Sequence, residues 1–173
     1  MSFTSRTLRD ALGMFPTGVA VVTTQSPDGA LHGVTVNSFN SVSLDPPLVL
    51  FSLARSLSIL PVFLSAEAYA VNILREDQRD ISARFASPVE DKWGDIEYRA
   101  GTTGSPVLHQ VIAVLECRPH AHHDGGDHVI FVGKVVHFEK PDHHKPLIFF
   151  RGRYHRLSTS TDEDDARALS LEA

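Results

Sequence analysis

The spacing of apolar residues changes along the chain, and each change predicts a different element. Leu8, Leu12 and Phe15 recur at helical intervals in SRTLRDALGMF (residues 5–15), which predicts a short helix with Ser5 as its cap. TGVAVVTTQS is continuous and β-branched and predicts a strand, with PDG at 27–29 as a turn. LHGVTVNSFNSVSL predicts a second strand, long enough to bend or bulge near 38–41. Its even positions carry Val34, Val36, Val42 and Leu44. Its odd positions carry Thr35, Asn37, Ser41 and Ser43, interrupted by Phe39. One face suits a core, and the other either meets water or holds something polar. Pro46-Pro47 should then stop ladder pairing.

Further on, the apolar run LVLFSLA predicts a strand buried on both faces, and RSLSILPVFLSA a helix capped by Ser58 with Pro61 in its first turn. AYAVNIL predicts a strand. REDQRDISARFA predicts an amphipathic helix with Gln78, Ile81, Ser82 and Phe85 on one stripe. Residues 87–104 read as loop. VLHQVIAVLECRPHA and DHVIFVGKVVHFEK predict two long strands joined at HHDGGD, and PLIFF and RYHRL two short ones. The pattern predicts seven or eight strands and three helices, a mainly β protein. Because many strands are apolar on both sides, a closed β-barrel with a few helices packed on it is expected over an open sheet.

Composition narrows the function classes. With 173 residues, one domain is expected over 5–158, followed by an acidic, flexible tail at 159–173. The net charge is −5, and from Thr161 onward five acids stand against one base. The remaining body is nearly neutral, which argues against a nucleic-acid partner. No apolar run reaches the ~18 residues of a membrane span. The N-terminal segment lacks the apolar stretch of a signal peptide. The single cysteine, Cys117, excludes an internal disulfide and suits a cytoplasmic location.

Several motifs of nucleotide and nucleophile chemistry are missing. There is no GxGxxG after a strand, no GxxxxGK[ST] and no GxSxG, and GTTGS at 101–105 lacks the lysine and spacing of a phosphate loop. His120, His122, His123 and His128 cluster with Asp124 and Asp127 around one hairpin. A mobile hairpin tip makes a poor ligand cage, so no metal site is assigned. His128 opens the run VIFVG and belongs at the barrel edge, whereas His143 and His144 fall in a Pro-flanked, solvated loop. Arg84 either snorkels on its helix or holds a phosphate with its planar fork. Polar strand edges, a serine-rich helix start and Arg84 together could serve a phosphorylated aromatic cofactor.

GVTVNSFNSVSLDPPLVLFSLARSLS resembles the signature of the short-chain flavin reductase family, whose fold is the FMN-binding split barrel. FPTGVAVVTT, AYAVNIL, ISARFA, GSPVLHQVIAVLEC, GDHVIFVGKV and PLIFFRGRYHRL match in order, so the resemblance covers roughly residues 8–157. It implies a homodimeric NAD(P)H:flavin oxidoreductase that reduces FMN or FAD with NADH or NADPH and supplies a separate flavin-dependent monooxygenase. By position it implies Thr35, Val36, Asn37, Ser38 and Ser43 at the flavin ring edge. It implies Ser52, Leu53, Ala54 and Ser56 around ring and phosphate, and Arg84, Phe85 and Ala86 at the phosphate or ribityl side. His128 falls beside the nicotinamide, with Tyr154 near the same pocket. TVNSF departs from the family's usual TASAF, and Asn37 either adds a hydrogen bond to the ring or alters which flavin fits. Hydride transfer needs stacked rings more than a strong base, so the missing acid–base motifs fit this reading. A non-catalytic flavin-binding barrel is the alternative, and a metalloenzyme on the hairpin histidines a third.

Overall fold

The computed structural model describes residues 4–89, 91–141 and 145–157, so the expectations for His143, His144 and the acidic tail lie outside the described residues. The chain begins with helix α1 (Ser5–Leu12). Strands β1 (Thr17–Gly18), β2 (Ala20–Gln25), β3 (Leu31–Val36), β4 (Asn40–Leu44) and β5 (Pro47–Ala54) follow, then helix α2 (Leu60–Ser65). Next come β6 (Tyr69–Ile73), helix α3 (Arg79–Ala86), β7 (Tyr98–Ala100), β8 (Pro106–Leu108), β9 (Ala113–Gly125) and β10 (His128–Glu139). The short strands β11 (Ile148–Phe150) and β12 (Arg153–His155) complete the order. The class is mainly β with a few helices, as the sequence pattern predicts, with twelve strands among the described residues in place of seven or eight.

Seven strands form one antiparallel sheet in the order β3-β2-β6-β9-β10-β5-β4. The sheet curls on itself. Val34 and Val36 from one end share a core with Val49, Phe51 and Leu53 near the other, around Tyr69, Val71 and Phe131. Phe51 and Phe131 stack at 5.0 Å between centroids, with Tyr69 edge-on to Phe51 at 5.1 Å. A second core lies on the outer face of β2 and β6, where Val19, Val21, Ala70 and Leu74 meet Phe85 and the segment around Val107–Val111. Among the described residues no ladder joins β3 to β4 or β5, so the barrel is not closed by strand pairing. It is split along one seam. The Ser38 hydroxyl bridges that seam, accepting from the Ser52 N–H at 2.9 Å and donating to the Ser52 carbonyl at 3.2 Å.

Several sequence expectations are corrected in detail. The long second strand is two strands, broken at 37–39, with β3 paired to β2 and β4 paired to β5. Val42 and Leu44 therefore do not continue the core face of Val34 and Val36, and both are exposed. Pro47 starts a paired strand opposite Leu44, because the chain reverses at Asp45-Pro46. Burial on both faces belongs to β2 and β6, flanked by strands and covered by α3 and β8, whereas β5 alternates. Thr4, not Ser5, caps α1. Ile59 occupies the cap of α2 without a side-chain bond, so Ser58 does not cap it. The predicted loop 87–104 contains β7, paired to β8. The α1 stripe of Leu8 and Leu12 buries nothing within this chain.

A buried carboxylate accounts for GTTGS. Glu116, fully buried on β9, accepts from the Thr102 N–H at 2.9 Å, the Thr103 N–H at 2.6 Å and the Thr103 hydroxyl at 2.8 Å. Gly101 permits the approach, since a Cβ there would stand 2.6 Å from Oε2. The loop is a receptor for a side chain of its own protein.

Candidate functional site

The split seam opens into a cavity of about 790 Å³, inside the roughly 300–1,000 Å³ of small-molecule sites. One wall is β3 and its extension through Ser38. The facing wall runs from Ser52 along the end of β5 to Ile59. The C-terminus of α3, Ser87 to Val89, Lys92 and Trp93 form one side, and His128 at the start of β10 lines the other. Eleven of the fourteen sequence-predicted residues meet here: Thr35, Val36, Asn37, Ser38, Ser52, Leu53, Ala54, Ser56, Phe85, Ala86 and His128.

Each wall is placed by identifiable contacts. Helix α3 carries Asp80 in its first turn and Arg84 in its last, the arrangement its dipole favours. It buries Ser82 and Phe85 against the sheet. The Thr35 hydroxyl donates to the Ser82 carbonyl at 2.7 Å, tying α3 to β3. Gly33 lets Phe85 lie on β3 itself, because a Cβ at Gly33 would stand 2.5 Å from the Phe85 ring. Trp93 closes edge-on against Phe85 at 5.0 Å. Two hydroxyls, Thr35 of the polar face and Ser38 of the break that follows it, thus hold the walls together as well as lining the space between them.

His128 pairs with Ala54 across the ladder, and its Nδ1 lies 2.7 Å from the Asp127 carboxylate. With Nδ1–H donating, a neutral ring presents Nε2 as an acceptor. The His128 contact holds the Asp127 carboxyl below the usual carboxylate range. Arg55 fixes the turn beside it: its backbone N–H donates to the Asp127 carbonyl at 2.9 Å, Nε to the Gly126 carbonyl at 2.9 Å, and the guanidinium pairs with Asp124 at 2.6 Å.

Three predicted residues stand elsewhere. Arg84 points away from the cavity and is ion-paired with Asp95, whose carboxyl the pair holds below its ordinary range. Tyr154 bonds the buried Ser82 hydroxyl at 2.8 Å under the Arg79 guanidinium, on the far side of α3. Ser43 lies past the bulge in β4, opposite Leu48, where the strand has left the seam. The cavity also includes residues the sequence did not single out, above all Lys92, Trp93, His32 and Gly33. A lysine between acids in VEDKWGD gives no signal of burial.

Among the described residues the hairpin histidines do not converge on a point. The group that does, Glu116, His137 and Glu139, has its carboxylates committed to Thr102, Thr103 and Arg99. A second cavity of about 500 Å³, lined by Tyr98, Arg99, Leu108 and Val111 among others, holds none of the fourteen predicted residues.

A curled antiparallel sheet split at one seam, with a ligand-sized cavity in the split, defines the split-barrel class. Residues 12–158 match the family described as flavin reductase like domain, and the chain belongs to that family. It is 40% identical over 166 residues to the stachydrine N-demethylase reductase subunit Stc3 of Rhizobium meliloti, covering 96% of this chain and 72% of that one. It is 46% identical over 154 residues to the FMN reductase (NADH) SmoA of Agrobacterium fabrum, covering 89% and 87%. Among solved structures it is similar to the NADH:FAD oxidoreductase SgcE6 of Streptomyces globisporus in complex with NAD and FAD fragments. That likeness has a TM-score of 0.87 at 34% identity, over 91% of this chain and 96% of the other.

Proposed function

We propose that the seam cavity is the flavin site of an NAD(P)H:flavin oxidoreductase that supplies reduced flavin to a separate monooxygenase component. The observation carrying this reading is the convergence of three separate sequence segments, 35–38, 52–56 and 85–86, with His128 on one cavity of suitable volume. The residues fit a flavin: an open gap between two strands, apolar walls from Val36, Leu53 and Phe85, and hydroxyl and amide donors along one edge. Relatives named for NADH with FMN and for NADH with FAD support these cofactors.

A flavin held between the walls at 35–38 and 52–56 would supply the acceptor for the hydride of NADH or NADPH. The chain's own work is orientation and exclusion of water. Thr35 and Ser38 keep the walls at fixed separation, and Asn37, Ser52 and Ser56 offer polar groups along the cavity. His128, held by Asp127 on one nitrogen, positions the nicotinamide with the other. No general base is needed. The assay mixes purified protein with NADH and free FMN or FAD and follows absorbance of the reduced nicotinamide. Turnover well above the uncatalysed rate is expected, and His128→Ala should raise KM for NADH. Flavin binding with no nicotinamide oxidation would replace this reading with that of a non-catalytic flavin-binding barrel.

A second copy of the chain completes the assembly in the same reading. Helix α1 leaves its apolar stripe uncovered, and Phe15, Leu44 and Phe138 are 75%, 94% and 69% exposed, apolar surface that a second copy would cover. Among the described residues no helix is long and apolar enough to cross a membrane.

A further inference from the structure

We propose that Arg55 is a positioning residue for nicotinamide oxidation, acting through His128 without lining the cavity itself. The role rests on the flavin reading above and adds to it a residue that the sequence did not single out.

Arg55 lies between Ala54 and Ser56, both of which line the cavity, yet its own side chain turns outward to the hairpin tip at 124–127. Its Nη2 pairs with the Asp124 carboxylate at 2.6 Å, its Nε donates to the Gly126 carbonyl at 2.9 Å, and its backbone N–H donates to the Asp127 carbonyl at 2.9 Å. The same Asp124 oxygen accepts from the Gly126 N–H at 3.2 Å, so the guanidinium and the turn share one carboxylate. The turn needs this support. Gly125 and Gly126 stand side by side, Gly126 at φ +74°, and glycine imposes no conformation of its own. The ladder from β10 to β5 ends at His128 opposite Ala54, and the ladder to β9 ends at the same residue opposite Gly125. Beyond that point, among the described residues, the hydrogen bonds that join Gly126 and Asp127 to another element all come from Arg55.

His128 takes its orientation from this turn. Its Nδ1 lies 2.7 Å from the carboxylate of Asp127, the residue whose carbonyl Arg55 holds. A shift of Gly126 and Asp127 therefore turns the imidazole and moves Nε2 within the cavity. The wall at 35–38 and 52–54 stays in place, because the Ser38 bridge and the sheet hold it. Lysine replaces arginine only in part, since an ammonium is a point charge, whereas the planar fork bonds Asp124 and the Gly126 carbonyl together.

The test is a double-mutant cycle on turnover with NADH and free FMN. KM for NADH and the FMN dissociation constant are measured for wild type, Arg55→Met, His128→Ala and the double variant, with Arg55→Lys alongside. Arg55→Met should raise KM for NADH about fivefold or more while FMN affinity stays within about twofold. Arg55→Lys should fall between wild type and Arg55→Met. In the His128→Ala background, Arg55→Met should change KM by less than about twofold, because the contact it serves is gone. Additive effects of the two substitutions, the result expected if Arg55 touched the dinucleotide itself, would overturn the proposal, and so would an unchanged KM in Arg55→Met. Equal loss of FMN and NADH affinity in Arg55→Met would mark a general loosening of the site and also overturn it. Asp124→Ala breaks the pair from the other side and covers the case in which Arg55→Met does not fold: KM for NADH should rise with FMN affinity retained, and an unchanged KM counts against Arg55 equally. An unchanged KM in His128→Ala would overturn the proposal together with the role of His128, whereas wild type that binds FMN without oxidising NADH would remove the reading beneath both.

Discussion

Gly33 gives the sharpest test of how the cavity wall is built. Replacing it by alanine adds a Cβ at 2.5 and 2.7 Å from two atoms of the Phe85 ring, against the ordinary contact range of 3.4–4 Å. Something must move by nearly an ångström. Phe85 has no exposed surface and its ring is backed by Trp93 at 5.0 Å, so the ring cannot swing away without displacing Trp93 or lifting α3 from β3. Overpacking of this kind costs about 1–3 kcal/mol. For a chain of this size each kcal/mol lowers Tm by roughly 2–4 °C. Because Phe85 and Lys92 are joined through the Phe85 carbonyl, the displacement also reaches the cavity, and flavin affinity should fall with stability. Thermal unfolding and flavin titration of Gly33→Ala measure both effects. Gly18→Ala is the control, since a Cβ there meets nothing within 4 Å and should be nearly neutral. If Gly33→Ala matched Gly18→Ala in Tm and in flavin affinity, the packing of α3 on β3 described above would be wrong.

Three further outcomes follow from named contacts. Ser38→Ala removes the bridge across the seam and strands the Ser52 N–H, so a loss of about 1–3 kcal/mol is expected in chemical denaturation, with weaker flavin binding; an unchanged midpoint would show that the seam closes without it. Burial alone would raise the Glu116 carboxyl, but hydrogen bonds from Thr103 and Thr102, with His137 nearby, outweigh it and hold it below the ordinary value of 4.5. Its contribution is therefore present above that ordinary value and lost as pH falls through the depressed one; the Tm of Glu116→Gln should be lower at neutral pH and flatter in acid, and parallel profiles would refute the linkage. Burial pushes the Cys117 thiol up to about 12, so native protein should resist thiol reagents at pH 8 and react only on unfolding, a prediction that prompt stoichiometric labelling would contradict.

Local pattern carried most of the elements. The hairpin at HHDGGD, the amphipathic stripe of α3 and the strand AYAVNIL are legible because period and turn chemistry are local properties. Pairing partners are not local. Val42 and Leu44 keep the even spacing of Val34 and Val36, but the break at 37–39 moves β4 to the opposite edge of the sheet, and spacing does not reveal which edge a strand joins. The same limit governs charge. Arg84 and Lys92 are eight positions apart and both cationic; which one faces the cavity depends on where Asp95 and the Phe85 carbonyl fall in space. Glu116 offered the better signal, since a carboxylate inside the apolar run AVLEC must find donors, and the nearest glycine-rich loop supplied them.

The distribution of polar bonds explains how the barrel can be rigid and still leave a site open. Away from the seam, the buried Asn72 and Glu116 side chains are answered within the fold, while among the described residues the Thr17 and Tyr69 hydroxyls are buried without a partner. Asn72 donates to the Val21 carbonyl and the Thr23 hydroxyl and accepts from the Leu108 N–H, while Glu116 takes three donors from one loop. These bonds lock β2, β6, β8 and β9 into a single block. At the seam Ser38 bonds across to Ser52, and beside it Thr35 ties β3 to α3, each with one partner residue. The two walls are therefore held at a set distance without being filled, and the polar groups left over face the gap. A closed ladder between β3 and β5 would stabilise the sheet further, but it would consume those edges and abolish the cavity. The split is the feature through which this β-barrel becomes a binding site.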